Sequence, residues 1–234
     1  MCRIFFPYRD KFSSLLLFLL TAVVPLIFDV RSFRNFIYPK LISLYFIGFL
    51  ILILNFNEIH FYLKKTKKIA PFISFFLVSV IVSFHSVNPY LSIRGMVLFI
   101  MFSFSYLLIL KKFKEYYFFK KWLFFLSFIV IAVCVYGILQ FFGIDFISFS
   151  QKKVVISFLG NPNYVGQFLD IPFALFISES LRKKTKKVYR YYFFLISFLC
   201  FLTVILASCK GSIIAMLIIQ SLYFFTIRCI KYLN

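Results

Sequence analysis

Long apolar runs, separated by short polar connections, set the pattern of this chain. Eight runs can be read: 12–28, 41–56, 69–87, 91–110, 122–142, 164–178, 191–208 and 211–227. A helix needs about 20 residues, within a range of about 17–25, to cross the hydrocarbon core of a bilayer. The second and sixth runs are short, and their Lys, Tyr and Phe flanks are expected to reach the interface. Only Ser208-Cys209-Lys210-Gly211 separates the last two runs. A single helix over 191–227 would be about 55 Å long, well beyond what a bilayer requires. Gly211 permits a tight turn, so a hairpin is expected there. The predicted fold class is all-α: one polytopic transmembrane domain over 1–234, about eight transmembrane helices, both termini cytoplasmic.

Composition strengthens this picture. Of 234 residues, 63% are hydrophobic and only 15% are charged. Soluble domains carry about 25% charged residues, so this chain cannot cover a globular surface with polar groups. The same apolar content excludes intrinsic disorder despite a net charge of +20. Nucleic-acid binding is a poor reading of that charge, because the basic residues fall in short clusters between apolar runs. With the N-terminus inside, inner segments hold 20 Lys and Arg and outer segments hold 7. The charge therefore reads as a topology device, with attraction to anionic inner-leaflet lipids added. The first run lacks a small-x-small cleavage site and is expected to stay in place. Five cysteines show neither metal spacing nor a paired framework. Four of them, Cys134, Cys200, Cys209 and Cys229, lie in or beside apolar runs and read as small hydrophobes. The 38 Phe and 15 Tyr accompany heavy use of Ile and Lys, so aromatic abundance alone marks no stacking site.

In this topology the unusual residues gather on the outer side. Gly95, Gly143, Gly160, Gly166 and Gly211 lie there, with Pro89, Pro162, Asn88, Asn161, Asn163 and Gln140. Such a gathering points to a site. It also fits loops that merely turn, since Gly, Pro and Asn are turn formers. Three outer segments go further: FHSVNPYLSIRG at 84–95, FLGNPNYVGQ at 158–167 and ASCKGS at 207–212.

Here the sequence resembles a family. GNPNYVGQFLDIPFAL is similar to the signature of the O-antigen ligase and O-antigen polymerase-like membrane proteins, although Pro172 stands closer to Asp170 than that signature places it. SVNPYLSIRG is similar to the family's short outer loop before a helix. VYGILQFFGID resembles the helix end that precedes its large loop. LASCKGSIIAM is similar to its Ser-Arg-Gly turn, with Lys210 in the arginine position. The resemblance implies a membrane glycan transferase of the bacterial cytoplasmic membrane. Such a protein moves a polysaccharide from an undecaprenyl-diphosphate carrier to a lipid or glycan acceptor at the outer face. It implies membrane lipids as surroundings, no nucleic acid, no metal and no other cofactor. Family members carry more helices and a later outer loop with a histidine, so the chain is expected to match the N-terminal two-thirds of such a protein, truncated and incomplete as a catalyst. The rival expectation is a non-catalytic membrane subunit or a small permease.

The candidate residues follow. Arg94 and Lys210 stand at outer helix starts, where a cation and the helix dipole together favour a diphosphate. The plainer role for each is a charge that reaches lipid phosphate at the interface. Asn161 and Asn163 flank Pro162; Asn163 reads first as a helix N-cap and second as a sugar contact. Gln167 completes the substrate-binding candidates. Asn163, Gln167 and Asp170 share the i, i+4, i+7 spacing of one helix face. Asp170 is an acid inside a span, where it either pairs, faces a wet cavity or stays neutral. His85 is the weak catalytic candidate, as a general base; a hydrogen-bonded bystander is the commoner role for a lone interfacial histidine.

Overall fold

The computed structural model describes residues 6–28, 37–65, 70–84, 86, 88–113, 115–146, 155–183 and 185–233. Among them every regular element is helical, and each apolar run carries one helix. The helices are α1 (Phe6–Leu26), α2 (Ile37–Lys65), α3 (Ala70–Phe84), α4 (Pro89–Lys112), α5 (Tyr116–Phe141), α6 (Pro162–Leu181), α7 (Lys187–Leu206) and α8 (Lys210–Leu233). A 3₁₀ turn, Ser157–Leu159, precedes α6. Among the described residues three helices are long and apolar enough to cross a membrane: Tyr38–Asn55 within α2, Tyr116–Phe141 and Lys187–Leu206.

Several bounds depart from the apolar runs, for local reasons. α2 covers 29 residues and runs past its short apolar run at both ends. No Gly or Pro interrupts the chain between Gly48 and the end of this helix, and helical hydrogen bonds continue through Asn57, Glu58 and His60 whatever their polarity. α3 is shorter than its run, at 15 residues. The residue before a proline is disfavoured in the helical region, and Asn88 precedes Pro89. Ser86 Oγ organises this junction, accepting from Asn88 N at 3.2 Å and from Ser92 Oγ at 2.7 Å.

The chain forms two compact units. The first holds residues 1–24 and 38–122. Leu16 and Leu17 of α1 bury against Ile47 and Ile51 of α2, with Ile109 and Phe118 at the margin. A polar tie fixes their register: Ser13 Oγ donates to Asn55 Oδ1 at 3.1 Å, while Asn55 Nδ2 donates to Ile51 O at 2.8 Å. Trp122 Nε1 donates to Thr21 Oγ1 at 3.0 Å. α3 and α4 run antiparallel, with Phe75 against Phe99 and Ser83 against Met96.

The second unit holds residues 25–37 and 123–234. Its side-chain pairings define the directions. Phe176 stacks on Phe193 with ring centroids 5.6 Å apart, and Phe173 faces Phe201, so α6 and α7 are antiparallel. Gly166 meets Ser212, and Tyr223 reaches Ser178 O, so α6 and α8 are parallel. Phe124 packs on Phe193, and Gly137 on Thr203, so α5 and α7 are parallel. Val130, Val133, Val165, Leu169, Phe176, Phe193, Val204 and Met216 are fully buried between these helices. The C-terminal end of α5, the N-terminal end of α6, the C-terminal end of α7 and the N-terminal end of α8 therefore gather at one end of this unit.

Candidate functional site

That end is built from helix terminations. α5 closes with Gly143 at φ +84°, its N–H bonded to Gln140 O and the next N–H, from Ile144, to Leu139 O. α7 closes the same way with Ser208 at φ +56°: Ser208 N donates to Ile205 O, and Cys209 N to Val204 O. Both are two-bond caps that satisfy carbonyls the helix leaves open. Sequence alone assigns the α7–α8 turn to Gly211. The hairpin is present, yet its left-handed residue is Ser208, and Gly211 lies in the first turn of α8. A turn of this kind needs one left-handed residue directly after the helix, and Gly211 comes too late.

The start of α6 is set by Asn161 rather than by Asn163. Asn161 is extended, Pro162 occupies the first helical position, and the Asn161 side chain accepts from Asn163 N at 2.8 Å. This is the usual arrangement of an amide cap followed by a proline whose missing N–H costs nothing there. Asn163 is thereby released from capping. Gly160, at φ +77°, turns the 3₁₀ segment into the cap.

Gln140 ties this segment to α5. Its buried side chain accepts from Ile156 N at 3.1 Å and Ser157 N at 2.7 Å, and donates from Nε2 to Asp145 Oδ1 at 3.3 Å. Tyr136 OH donates to the same Asp145 oxygen at 2.5 Å. Ser157 Oγ donates to Val133 O at 2.7 Å. One amide thus fixes the approach to the Gly160-Asn161-Pro162-Asn163 turn.

A chain of polar contacts then joins α6 to α8. The Cys209 thiol points to Asn163 Oδ1 at 3.7 Å and to Ser212 Oγ at 3.4 Å. Ser212 Oγ donates to Asp170 Oδ2 at 3.0 Å, while Asp170 Oδ1 is buried with no hydrogen-bond partner among the described residues. The helices approach closely because residue 166 is glycine. A Cβ there would collide with Ser212 Oγ and lie 2.5 Å from Cys209 Sγ. Lys210, the first residue of α8, is exposed beside this seam.

The predicted residues are placed unevenly. Asn161, Asn163 and Lys210 come together at the α6–α8 seam. Gln167 is exposed. The shared face of α6 toward α8 is Asn163, Gly166 and Asp170, which replaces the expected set containing Gln167. Arg94 lies in the first turns of α4 in the first unit, and its side chain falls outside the described residues. His85 also lies outside them. Sequence reasoning undervalues Cys209, read as a small hydrophobe, and Ser212 and Gln140, which carry most of the hydrogen bonding. A signal for Cys209 and Ser212 is their place in the ASCKGS segment. Comparison with protein-family models, with curated proteins and with solved structures yields no match.

Proposed function

We propose that the chain is a multi-pass protein of the bacterial cytoplasmic membrane, with eight spans and its N-terminus inside. In this reading it handles an undecaprenyl-diphosphate-linked glycan at the outer face, as the O-antigen ligase and polymerase-like proteins do. One observation carries the reading. The two segments that most resemble that family, GNPNYVGQ and ASCKGS, are 46 residues apart at Asn163 and Cys209, yet share one chain of contacts. A third such segment, VYGILQFFGID, supplies Gln140, which holds the approach to them. Segments chosen for their sequence thus meet in one place.

The chemistry of the seam suits a diphosphate. The N-termini of α6 and α8 both open here with no acidic residue in their first turns. The positive ends of the two helix dipoles and Lys210 give a positive field at the interface. In glycosyl transfer the carrier diphosphate is the leaving group, and cations at that point stabilise the charge it gains. The acceptor hydroxyl must also lose a proton to a base. Among the described residues of the seam no histidine stands ready for that step, so the assignment made to this seam is carrier binding.

The test is equilibrium binding of carrier-linked glycan to the purified protein in detergent. Lys210→Gln is expected to weaken binding about three- to tenfold, as for loss of a partly screened charged hydrogen bond. Lys210→Arg is expected to keep or improve it, because a guanidinium can bridge two phosphate oxygens. Lys183→Gln, in the α6–α7 loop, is expected to leave it unchanged. Equal losses from Lys210→Gln and Lys183→Gln would assign the binding to bulk electrostatics. No carrier binding, together with solute flux through reconstituted vesicles, would favour a permease.

A further inference from the structure

At the opposite end of the second unit, the α6–α7 hairpin forms a half-open cavity of about 310 Å³ lined by Ser180, Leu181, Lys187, Arg190, Tyr191 and Phe194. We propose that this cavity is a binding site for an anionic phospholipid, its phosphate held by Lys187 and Arg190 and an acyl chain lying along Tyr191, Phe194 and Phe198.

Three features define the occupant. The first is charge that the hairpin itself does not neutralise. Glu179 is the last acidic residue of the sequence, and it is buried. Its Oε1 accepts from Arg182 Nη1 at 3.0 Å, and its Oε2 from Thr185 Oγ1 at 3.2 Å. Both oxygens therefore serve the loop and leave the cations at the cavity without an acid from this hairpin. The second is a placed guanidinium. Arg190 Nε donates to Ser180 O at 2.9 Å, which anchors the group at the cavity wall. Bound through one edge, a guanidinium still presents its terminal N–H groups to a phosphate. The third is the apolar floor. Tyr191 is 74% exposed, Phe194 54% and Phe198 56%, and they follow at i, i+3 and i+7 on one face of α7. Bulky apolar residues exposed in a row beneath paired cations match an amphiphile with an anionic head. A free phosphate would use the cations and leave that floor uncovered.

The cations also sit in the first turn of α7, where the helix dipole opposes them. An anion seated among them offsets that repulsion. The site is at the other end of the helices from the α6–α8 seam and is independent of the carrier-glycan reading.

Native mass spectrometry of the full chain in detergent tests the site, with phosphatidylglycerol and phosphatidylcholine of matched acyl chains supplied at equal concentration. Phosphatidylglycerol is expected to be retained about fivefold over phosphatidylcholine, the scale of one basic residue acting on an anionic headgroup. Lys187→Gln is expected to abolish that preference. Lys183→Gln, an equal charge change in the adjoining α6–α7 loop, is expected to preserve it. Lys187 is an exposed side chain, so its replacement leaves the hairpin intact; Phe194→Ala, also exposed, is expected to lower retention of the lipid without altering headgroup preference. Equal retention of both lipids overturns the proposal. So does equal loss in Lys187→Gln and Lys183→Gln, which signals bulk electrostatics. Complete displacement of the lipid by millimolar inorganic phosphate would identify a phosphate site with no lipid component and would overturn it too.

Discussion

Gly166 decides how closely α6 and α8 approach. The hydrogen of glycine leaves room for Ser212 Oγ and Cys209 Sγ, which then bond Asp170 and face Asn163. Gly166→Ala would place a methyl group within 2.8 Å of two atoms of Ser212 in α8 and of the Cys209 sulfur just before it, none of which is the end of a long flexible chain. Overpacking of this kind costs about 1–3 kcal/mol, because helices must part or side chains must leave their rotamers. Ala is the better helix former, so at a helical glycine in open space the same change is stabilising by up to about 1 kcal/mol. Gly211 is such a position, where an added Cβ would meet nothing within 4 Å. Thermal unfolding in detergent should therefore move in opposite directions for Gly166→Ala and Gly211→Ala. Stabilisation by both would mean that the seam is open and that the Asn163–Cys209–Ser212–Asp170 contacts do not hold.

Helix ends show where sequence patterns speak and where they fall silent. The apolar runs locate every helix, since burying long apolar stretches demands satisfied backbone bonds along the whole stretch. The ends are less legible. Asn161 and Asn163 are both good caps, and only the position of Pro162 at the first helical residue separates their roles. Ser208 is invisible as a turn residue because its left-handed backbone follows from two cap bonds, to Ile205 O and by Cys209 N to Val204 O, not from its own preference. The α6–α8 seam is legible only as two separate segments; no local period encodes a contact between residues 42 positions apart, such as Ser212 and Asp170. The strained cap carries its own prediction. A non-glycine residue in the left-handed region costs about 1–2 kcal/mol, part of which glycine forfeits through its looser unfolded chain. Ser208→Gly should raise stability by about 0.5–1 kcal/mol, seen as a higher unfolding midpoint. An unchanged or lower midpoint would mean that the Ser208 side chain makes a contribution the cap geometry does not explain.

At the scale of the whole molecule, charge and helix direction agree within the second unit. Its α6–α7 connection and the first turn of α7 carry Arg182, Lys183, Lys184, Lys186, Lys187 and Arg190, whereas the α7–α8 turn at the other end carries Lys210. Positive residues in short loops are retained on the cytoplasmic side, so in the proposed topology this asymmetry orients α6, α7 and α8 together. The parallel pair α6 and α8 then presents both N-termini, with Asn161, Asn163 and Lys210, to the outside, and the cavity between Lys187 and Arg190 faces the inner leaflet. Cysteine labelling in cells checks the arrangement, in a background with the five native cysteines replaced by alanine. Gly211→Cys and Lys183→Cys place a thiol at exposed positions on the two ends. A membrane-impermeant reagent should modify Gly211→Cys in intact cells and Lys183→Cys only after permeabilisation. Modification of both from one side would mean that α7 does not cross the membrane. The reverse order would turn the α6–α8 seam toward the cytoplasm, where a periplasmic glycan cannot reach it, and the carrier-binding proposal would fall with it.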